Sequence, residues 1–560
     1  MQADPTSPEH GQYGFLQDLV RHVAYETLSK KERRARHLAA AAYISSAYVN
    51  EDEVAEVLAS HYVDAYSALP DADDATEVKA KAGSALVRAG DRAESLGAAS
   101  EAVRYLAQAA ELTDEPLDRA GLLDRAGWLG VYVPDYDEAA RLLGESIALY
   151  EARGDRRSAA RVSGKLSAVE AFQDRWKEAI ARYEAAFETL QGFEPGPELA
   201  ELAARLGSGY RFVGEPQKAL EMSEFAIGLA ESLGSVDVLA RALSAKALAI
   251  EGKRPEEALA LRKHQLSLAR EHDLAELEGN ALFNLSDLCF GRDRYDEALS
   301  YLDDGLGVMR RRGARTHEWS ALAETTYPLF MLGRWNEALA AFAEVPEDRL
   351  LDALTTSFLS SIPEIRIHRG DVSGASSLLA VYAAHGESPD LQDKTGYEAA
   401  AAAVARAEGR LKEALALGSG AADVARNHSE TNQSTKLAIV EAIEAAIGLG
   451  ELARAEELLA SIEAVPPGLR SPYLSAQALR FRARLATSDE AATENFDAAA
   501  KRFRELGVVF WLAVTRLEHG ELTGDESSLT EAREIFERLE ARPWLERLDA
   551  MAHKGAEVPA

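Results

Sequence analysis

The feature of this sequence that most constrains its fold is a short phrase ending in Glu-Ala, with an aromatic residue three places before the alanine. Clear copies end at Ala139, Ala179, Ala298 and Ala338. Including degenerate copies, the spacings between successive marker alanines are 37, 40, 40, 39, 40, 40, 37, 39 and 41 residues, for Ala102, Ala139, Ala179, Ala219, Ala258, Ala298, Ala338, Ala375, Ala414 and Ala455. A fixed period of this length is the signature of a repeat protein.

Each repeat has the pattern of a helix hairpin. A small alanine early in a helix allows a neighbouring helix to approach, and the aromatic residue before it covers the turn. Glycines fifteen residues after the marker, at Gly154, Gly234 and Gly313, predict the end of a second helix. Because one hairpin cannot bury its apolar stripe alone, neighbours must stack. We therefore predict an all-α, right-handed superhelical solenoid of about ten hairpins, whose first helices line a concave face.

Charge and composition limit the partners of the chain. The net charge of −31 makes a broad surface for nucleic acid or an anionic membrane improbable. The sequence has no run of about 18 apolar residues, which a membrane helix requires. The lone Cys289 excludes an internal disulfide framework. These features predict a cytoplasmic protein that binds neither nucleic acid nor membrane.

One hairpin carries a more specific pattern. Leu206-Gly207-Ser208-Gly209-Tyr210 is followed by Ala219, twelve residues after the first glycine. This Leu-Gly-x-x-Tyr and alanine spacing resembles the tetratricopeptide repeat (TPR), although the period here is about 40 residues rather than the usual 34. The resemblance implies a TPR-like solenoid over residues 71–465, followed by degenerate repeats and a cap over residues 466–560. Trp544 is expected to cap the exposed end of the core.

The amino-terminal segment does not follow the repeat. The stretch from Phe15 to Tyr25, with Arg33, Arg34, His37 and then His61-Tyr62, resembles the end of the nucleotide-binding module of STAND-type (AAA-like) signalling ATPases. It is similar in particular to bacterial multidomain proteins that carry a class III adenylate/guanylate cyclase, an ATPase and a helical-repeat tail. Gln17 and His22 depart from the family pattern. The resemblance implies that residues 1–70 are the end of a winged-helix module.

The residues of an active site are missing from this sequence. No Gly-x-x-x-x-Gly-Lys-Ser/Thr loop is present to hold phosphates, and Gly164-Lys165-Leu166-Ser167 lacks the upstream glycine. His264 and His272 have no third ligand at zinc-site spacing, and Cys289 has the context of a buried small hydrophobe. We predict a chain that is not an enzyme and holds no cofactor or metal. Any ATPase or cyclase activity would lie upstream.

A row of polar residues is the candidate binding site. The same position of successive first helices holds Arg125, Lys165 and Arg205, 40 residues apart, and Asn284 two units later. Stacked repeats would align them in the groove, where they could bind a carboxylate-bearing peptide or an anionic small molecule. Aromatic residues that could form apolar walls follow at Tyr132, Phe172 and Phe212. The alternative is that the cations only pair with acidic residues of adjacent helices.

Two functions fit these observations. The first is a sensor or protein-interaction arm of an ATP-dependent signalling protein, which binds a peptide, protein or small effector in its groove, as the STAND resemblance implies. The second is a stand-alone scaffold that brings two proteins together. A phosphate-loop or cyclase domain encoded directly upstream would favour the first function.

Overall fold

The computed structural model describes residues 2–3, 13–14, 23, 25–48, 51–133, 136–173, 175–312, 315–351, 353–388, 391–425 and 432–556. Most of the ATPase-like phrase, residues 15–22 and 24, lies outside them. The chain divides into two compact units, which we call unit 1 (Met1–Val238) and unit 2 (Leu239–Ala560). The domain boundaries predicted after residues 70 and 465 stay predictions.

Unit 1 consists of helices that alternate in direction, apart from one short strand pair. The strands β1 (Gln2–Ala3) and β2 (Tyr13–Gly14) are antiparallel. Single 3₁₀ turns occur at Glu51–Val54 and Gly130–Tyr132. The helices are α1 (Lys30–Ala47), α2 (Ala55–Ala68), α3 (Ala75–Ser95), α4 (Ala99–Glu111), α5 (Pro116–Leu129), α6 (Tyr136–Ala152), α7 (Arg156–Phe172), α8 (Trp176–Gln191), α9 (Pro197–Phe212) and α10 (Pro216–Leu233).

Unit 2 continues the same pattern, and α11 (Val236–Ile250) spans the division between the units. The 3₁₀ segments of unit 2 are Glu347–Arg349, Ala353–Ser360 and Ala383–Glu387. The remaining helices are α12 (Pro255–Glu271), α13 (Ala275–Gly291), α14 (Tyr295–Arg312), α15 (Arg315–Met331), α16 (Trp335–Ala343), α17 (Ile362–His368), α18 (Val372–Val381), α19 (Leu391–Ala407), α20 (Leu411–Ala425), α21 (Gln433–Leu449), α22 (Leu452–Ala464), α23 (Pro472–Arg484), α24 (Asp489–Glu505), α25 (Val509–Thr523), α26 (Glu526–Leu539) and α27 (Arg542–Ala556).

Small residues set the closeness of the helix pairs, as the repeat predicts. All ten marker alanines are buried. The glycine twelve residues before the marker is equally constrained: a Cβ on Gly127 would lie 2.6 Å from Leu143 Cγ, and one on Gly207 would lie 2.5 Å from Ser223 Oγ. The helices of a hairpin cross where neither has room for a larger side chain. The predicted all-α solenoid of TPR-like hairpins with a forty-residue period is confirmed.

The predicted helix ends are confirmed where the structure describes them. Gly154 and Gly234 follow α6 and α10 with φ of 74° and 65°. Glycine adopts this left-handed conformation without the Cβ clash that other residues meet. Gly313 lies outside the described residues.

In unit 2 the later hairpins pack over the turns of earlier ones. The turn between α13 and α14 holds Asp293, whose carboxylate accepts hydrogen bonds from Ser471 Oγ at 2.6 Å and from the backbone N–H of Tyr473 at 2.8 Å. The turn of the next hairpin, between α15 and α16, holds Gly333, where an added Cβ would overlap Val509. The third holds Gly370, where such an atom would contact Pro543 Cγ at 3.6 Å. The starts of α23, α25 and α27 thus cover three successive turns.

Trp544, the expected cap on the exposed end of the core, takes part in this packing. Its indole Nε1 lies 3.3 Å from His368 Nδ1, and its ring centroid lies 5.6 Å from those of Phe510 and Phe536. The tryptophan therefore packs on the preceding hairpin, through Phe510 and Phe536, and on an earlier one, through His368. Its role as a cap stays a prediction. The contact with His368 is one that the sequence pattern does not show, because the pattern records only neighbours along the solenoid.

A candidate binding groove on the first helices of unit 1

The first helices of unit 1 lie on the inner side of a curved stack. Arg205 on α9 places its guanidinium 5.0 Å from the ring centroid of Trp128 on α5, although α7 lies between these helices in the repeat order. Lys165 on α7 places its ammonium 5.9 Å from the same ring. Side chains of helices two repeats apart, such as Arg205 and Trp128, can approach this closely only on the inner side of a curved stack. The concave face is therefore formed by the first helices.

A groove of about 700 Å³ opens on this face between α3 and α5. Small residues form part of its lining. A Cβ added to Gly83 would meet no atom within 4 Å, and one added to Gly121 would meet only the Tyr150 hydroxyl at 3.8 Å. The full lining comprises Thr76, Lys79, Ala80, Gly83, Ser84, Val87, Leu112, Thr113, Asp114, Glu115, Leu117, Asp118, Gly121, Leu122 and Arg125. Its size suits a small molecule or a short peptide.

Both cations of this groove are paired with carboxylates. Arg125 Nη2 donates to Asp91 Oδ1 at 2.7 Å and to Glu94 Oε2 at 2.9 Å, so α5 is tied to α3. Lys79 forms an ion pair with Asp114. Arg125 is thus the one predicted site residue that lines this groove, and its positive charge is already compensated.

A second, smaller groove of about 240 Å³ separates α7 and α9, and it brings Lys165 and Arg205 together. Lys165 Nζ and Arg161 Nη1 both lie 2.8 Å from the buried carboxylate of Asp124 on α5. Arg205 lies 2.7 Å from Glu201, one helical turn earlier. These cations therefore also have carboxylate partners, which was the alternative interpretation of the row.

The predicted aromatic walls lie at the turns rather than in either groove. Phe172 and Phe212 end α7 and α9, and each is 57% exposed. Phe172 stacks on Tyr136 at 6.1 Å, and Phe212 stacks on Trp176 at 4.3 Å. Tyr132 is 46% exposed in the 3₁₀ turn after α5. Phe172 and Phe212 each pair with the elbow aromatic of the preceding repeat, which explains the forty-residue spacing of these residues.

Asn284 belongs to unit 2 and not to the unit that holds the three cations. It lies on α13, where its Nδ2 donates to the backbone oxygen of Asn280 at 2.7 Å. The structure therefore brings Lys165 and Arg205 together, places Arg125 in the neighbouring groove, and places Asn284 in another unit.

Sequence reasoning missed the residues that give the groove its shape. Gly83 and Gly121 lie in helix interiors, where glycine costs about 1 kcal/mol relative to alanine. Two such glycines, 38 residues apart on neighbouring first helices, are a signal that could have been recognised. Asp124, which joins Arg161 and Lys165, gave no comparable signal because carboxylates are common throughout this chain.

The titratable side chains buried in unit 2 include the Glu324 carboxyl and the Cys289 thiol. Burial, with a contribution from Asp287, raises the pKa of the Glu324 carboxyl to about 7. Its two oxygens accept hydrogen bonds from the Ser357 hydroxyl and, at 3.4 Å, from Gln433 Nε2. Burial also raises the pKa of the Cys289 thiol to about 12, which disfavours the reactive thiolate. Glu324 is thus a buried carboxyl held by two side chains, and Cys289 is a buried thiol of low reactivity.

Neither a metal cluster nor a membrane-spanning helix is found in the described part of the chain. No group of three or more His, Cys, Asp or Glu side chains there is arranged to hold a metal ion. None of the described helices combines the length and the apolar character needed to cross a membrane.

Comparisons with known proteins give remote structural likenesses. No protein-family model and no curated protein sequence matches the chain. A Rap protein complexed with competence and sporulation factor is 16% identical, with 67% of this chain and 98% of that one covered and a TM-score of 0.41. A STAND protein with a tetratricopeptide repeat sensor, from Pyrococcus horikoshii, is 13% identical, with coverages of 80% and 68% and a TM-score of 0.42.

A third solved structure, aspartyl phosphate phosphatase F from Bacillus subtilis, is 12% identical, with coverages of 75% and 97% and a TM-score of 0.37. At these low identities and TM-scores the likenesses carry no argument about function.

Proposed function

We propose that the chain acts by binding, and that unit 1 takes up a peptide segment of a partner protein in the groove between α3 and α5. The observation that carries this proposal is the open space above Gly83 and Gly121, bordered by the apolar Leu122 and by Leu117, which is 40% exposed. Exposed apolar surface in a concave groove is typical of a ligand site.

The test fills the groove without disturbing the fold. Gly83→Leu places a side chain where a Cβ meets no atom within 4 Å, and replacing a helical glycine stabilises α3 by up to about 1 kcal/mol. The matched control is Gly144→Leu on the second helix α6, where a Cβ also meets nothing within 4 Å. Peptides selected from a display library on the unaltered chain should still bind the Gly144→Leu variant. They should no longer bind the Gly83→Leu variant.

Selected peptides that bind both variants equally would contradict the groove as the binding site. A second display series can then use reversal of charge at Arg125, Lys165 and Arg205, and truncation to alanine at Asn284, Tyr132, Phe172 and Phe212, which remain the sequence-based candidates. Loss of binding in that series alone would move the site to the predicted row.

For the biological role we propose the sensor or interaction arm of an ATP-dependent signalling protein, with the link to cyclases as the most specific form of that proposal. The amino-terminal resemblance to STAND-type ATPases supports it. A stand-alone scaffold is the second candidate. A phosphate-loop domain encoded immediately upstream, whose ATP hydrolysis changes when this chain is added, supports the first role, and an unchanged rate supports the scaffold.

A further inference from the structure

The length of the α3–α5 groove sets the length of its occupant. Its lining on α3 runs from Thr76 to Val87, which at 1.5 Å per residue is about 16 Å. An extended peptide advances about 3.3 Å per residue. A segment of about five residues therefore fills the groove from end to end.

The charges around the groove favour a cationic occupant. The positive charges of Lys79 and Arg125 are compensated by carboxylates already in place. Glu115 and Asp118 are exposed on the lining and form no ion pair with any residue that the structure describes. Both lie at the start of α5. An anionic ligand would have to displace a carboxylate, whereas a cationic ligand meets two that are accessible.

The apolar part of the groove favours an occupant that also carries apolar side chains. Val87, Leu112 and Leu122 are half-buried, and Leu117 is more exposed than these three. Lys and Arg side chains at the ends of a peptide could reach the carboxylates while leucine-like side chains cover this surface. The net charge of −31 also steers cationic segments toward the chain.

We infer that the α3–α5 groove binds a cationic, apolar peptide segment of about five residues, through Glu115 and Asp118 and the apolar side chains between α3 and α5. This inference rests on the proposed function and names its ligand class. It reverses the anionic ligand that the row of Arg125, Lys165 and Arg205 suggests by itself, because those three cations have partners.

The experiment compares three blocked pentapeptides of equal apolar content, KLALK, QLALQ and ELALE, by fluorescence anisotropy on the full chain. At low salt KLALK should bind about tenfold more tightly than ELALE, and the preference should shrink as salt screens the charges. The double variant Glu115→Gln, Asp118→Asn should weaken KLALK binding about threefold to tenfold and leave QLALQ unchanged. Gly83→Leu should abolish binding of KLALK, and Gly144→Leu should not.

The remaining outcomes separate this inference from the proposed function. Preference for ELALE or QLALQ, lost in Gly83→Leu, overturns the ligand class and leaves the groove as a peptide site. Equal binding of KLALK to the unaltered chain and to Gly83→Leu shows general attraction to an acidic protein and overturns the inference. Absence of binding by all three peptides overturns the pentapeptide class, while the display selection on Gly83→Leu decides the proposed function separately.

Discussion

Seven residues before the marker alanine, unit 1 carries Phe172 and Phe212, each 57% exposed, whereas unit 2 carries Met331 and His368, each 2% exposed. The position in the repeat is the same, but its surroundings differ. In unit 2, hairpins from later in the chain cover the turns that follow these residues. Burial of a residue at the edge of a solenoid therefore depends on which distant hairpin packs there.

The ion pairs of the two units also differ in how deeply they are buried. Arg125 of unit 1 forms its ion pairs at the surface, whereas Arg480 of unit 2 is buried against Glu518 and Glu444. Solvent screens the first kind of pair and not the second. The predictions below test this contrast with matched substitutions in the two units.

The largest difference is expected between Arg480→Met and Arg125→Met. Removing Arg480 leaves Glu518 and Glu444 without the guanidinium that lies 2.6 and 2.7 Å from them, and should cost about 3–5 kcal/mol of unfolding free energy. Removing Arg125 breaks only exposed pairs and should cost less than about 1 kcal/mol. Chemical denaturation of both variants, followed by circular dichroism, measures the difference. Equal losses would show that the buried network of unit 2 is not specially stabilising.

The next largest difference is expected at the turn glycine five residues before the marker. Gly333 in unit 2 and Gly214 in unit 1 have φ of 72° and 77°. Alanine at either position destabilises the folded state by about 1 kcal/mol, because its Cβ is strained in the left-handed conformation. At Gly333 the new Cβ also overlaps Val509, whereas at Gly214 it meets no atom within 4 Å. We expect Gly333→Ala to cost about 2–4 kcal/mol and Gly214→Ala about 1 kcal/mol.

Thermal unfolding of these two alanine variants provides the measurement. If Gly214→Ala lowers the stability as much as Gly333→Ala does, the turns of unit 1 are also covered. A small loss at Gly333 would mean that α25 can move away from the turn at little cost.

The effect expected for Glu324→Gln depends on pH, and it is the smallest of the three in acid. Because the folded-state pKa of Glu324 is raised to about 7 from 4.5, the unaltered protein loses stability as the pH rises through this window. The variant should be equally stable near pH 4 and more stable by up to about 3 kcal/mol at pH 8. Glu221→Gln, at an exposed carboxylate of unit 1, should change stability by less than about 0.5 kcal/mol at either pH. Urea titrations at the two pH values test both, and a pH-independent effect at Glu324 would contradict the burial argument.

The site was less accessible to sequence reasoning than the fold. The pairing of Arg205 with Glu201 follows from their four-residue spacing on one helix. The pairing of Lys165 with Asp124 crosses between hairpins, and many acidic residues could have taken that place. The sequence thus located the row of cations and offered pairing with acidic residues as an alternative, but it did not identify the partner of Lys165 on the neighbouring hairpin.

The sequence by itself determined the repeat, its helices and the small residues at their crossings, because these depend on patterns within one hairpin and on its immediate neighbours. The tertiary structure alone decided which turns are covered, because residues such as Asp293 and Tyr473 are 180 positions apart. It also decided where the groove opens. Small changes of angle between successive hairpins accumulate along a solenoid, and no single repeat records their sum.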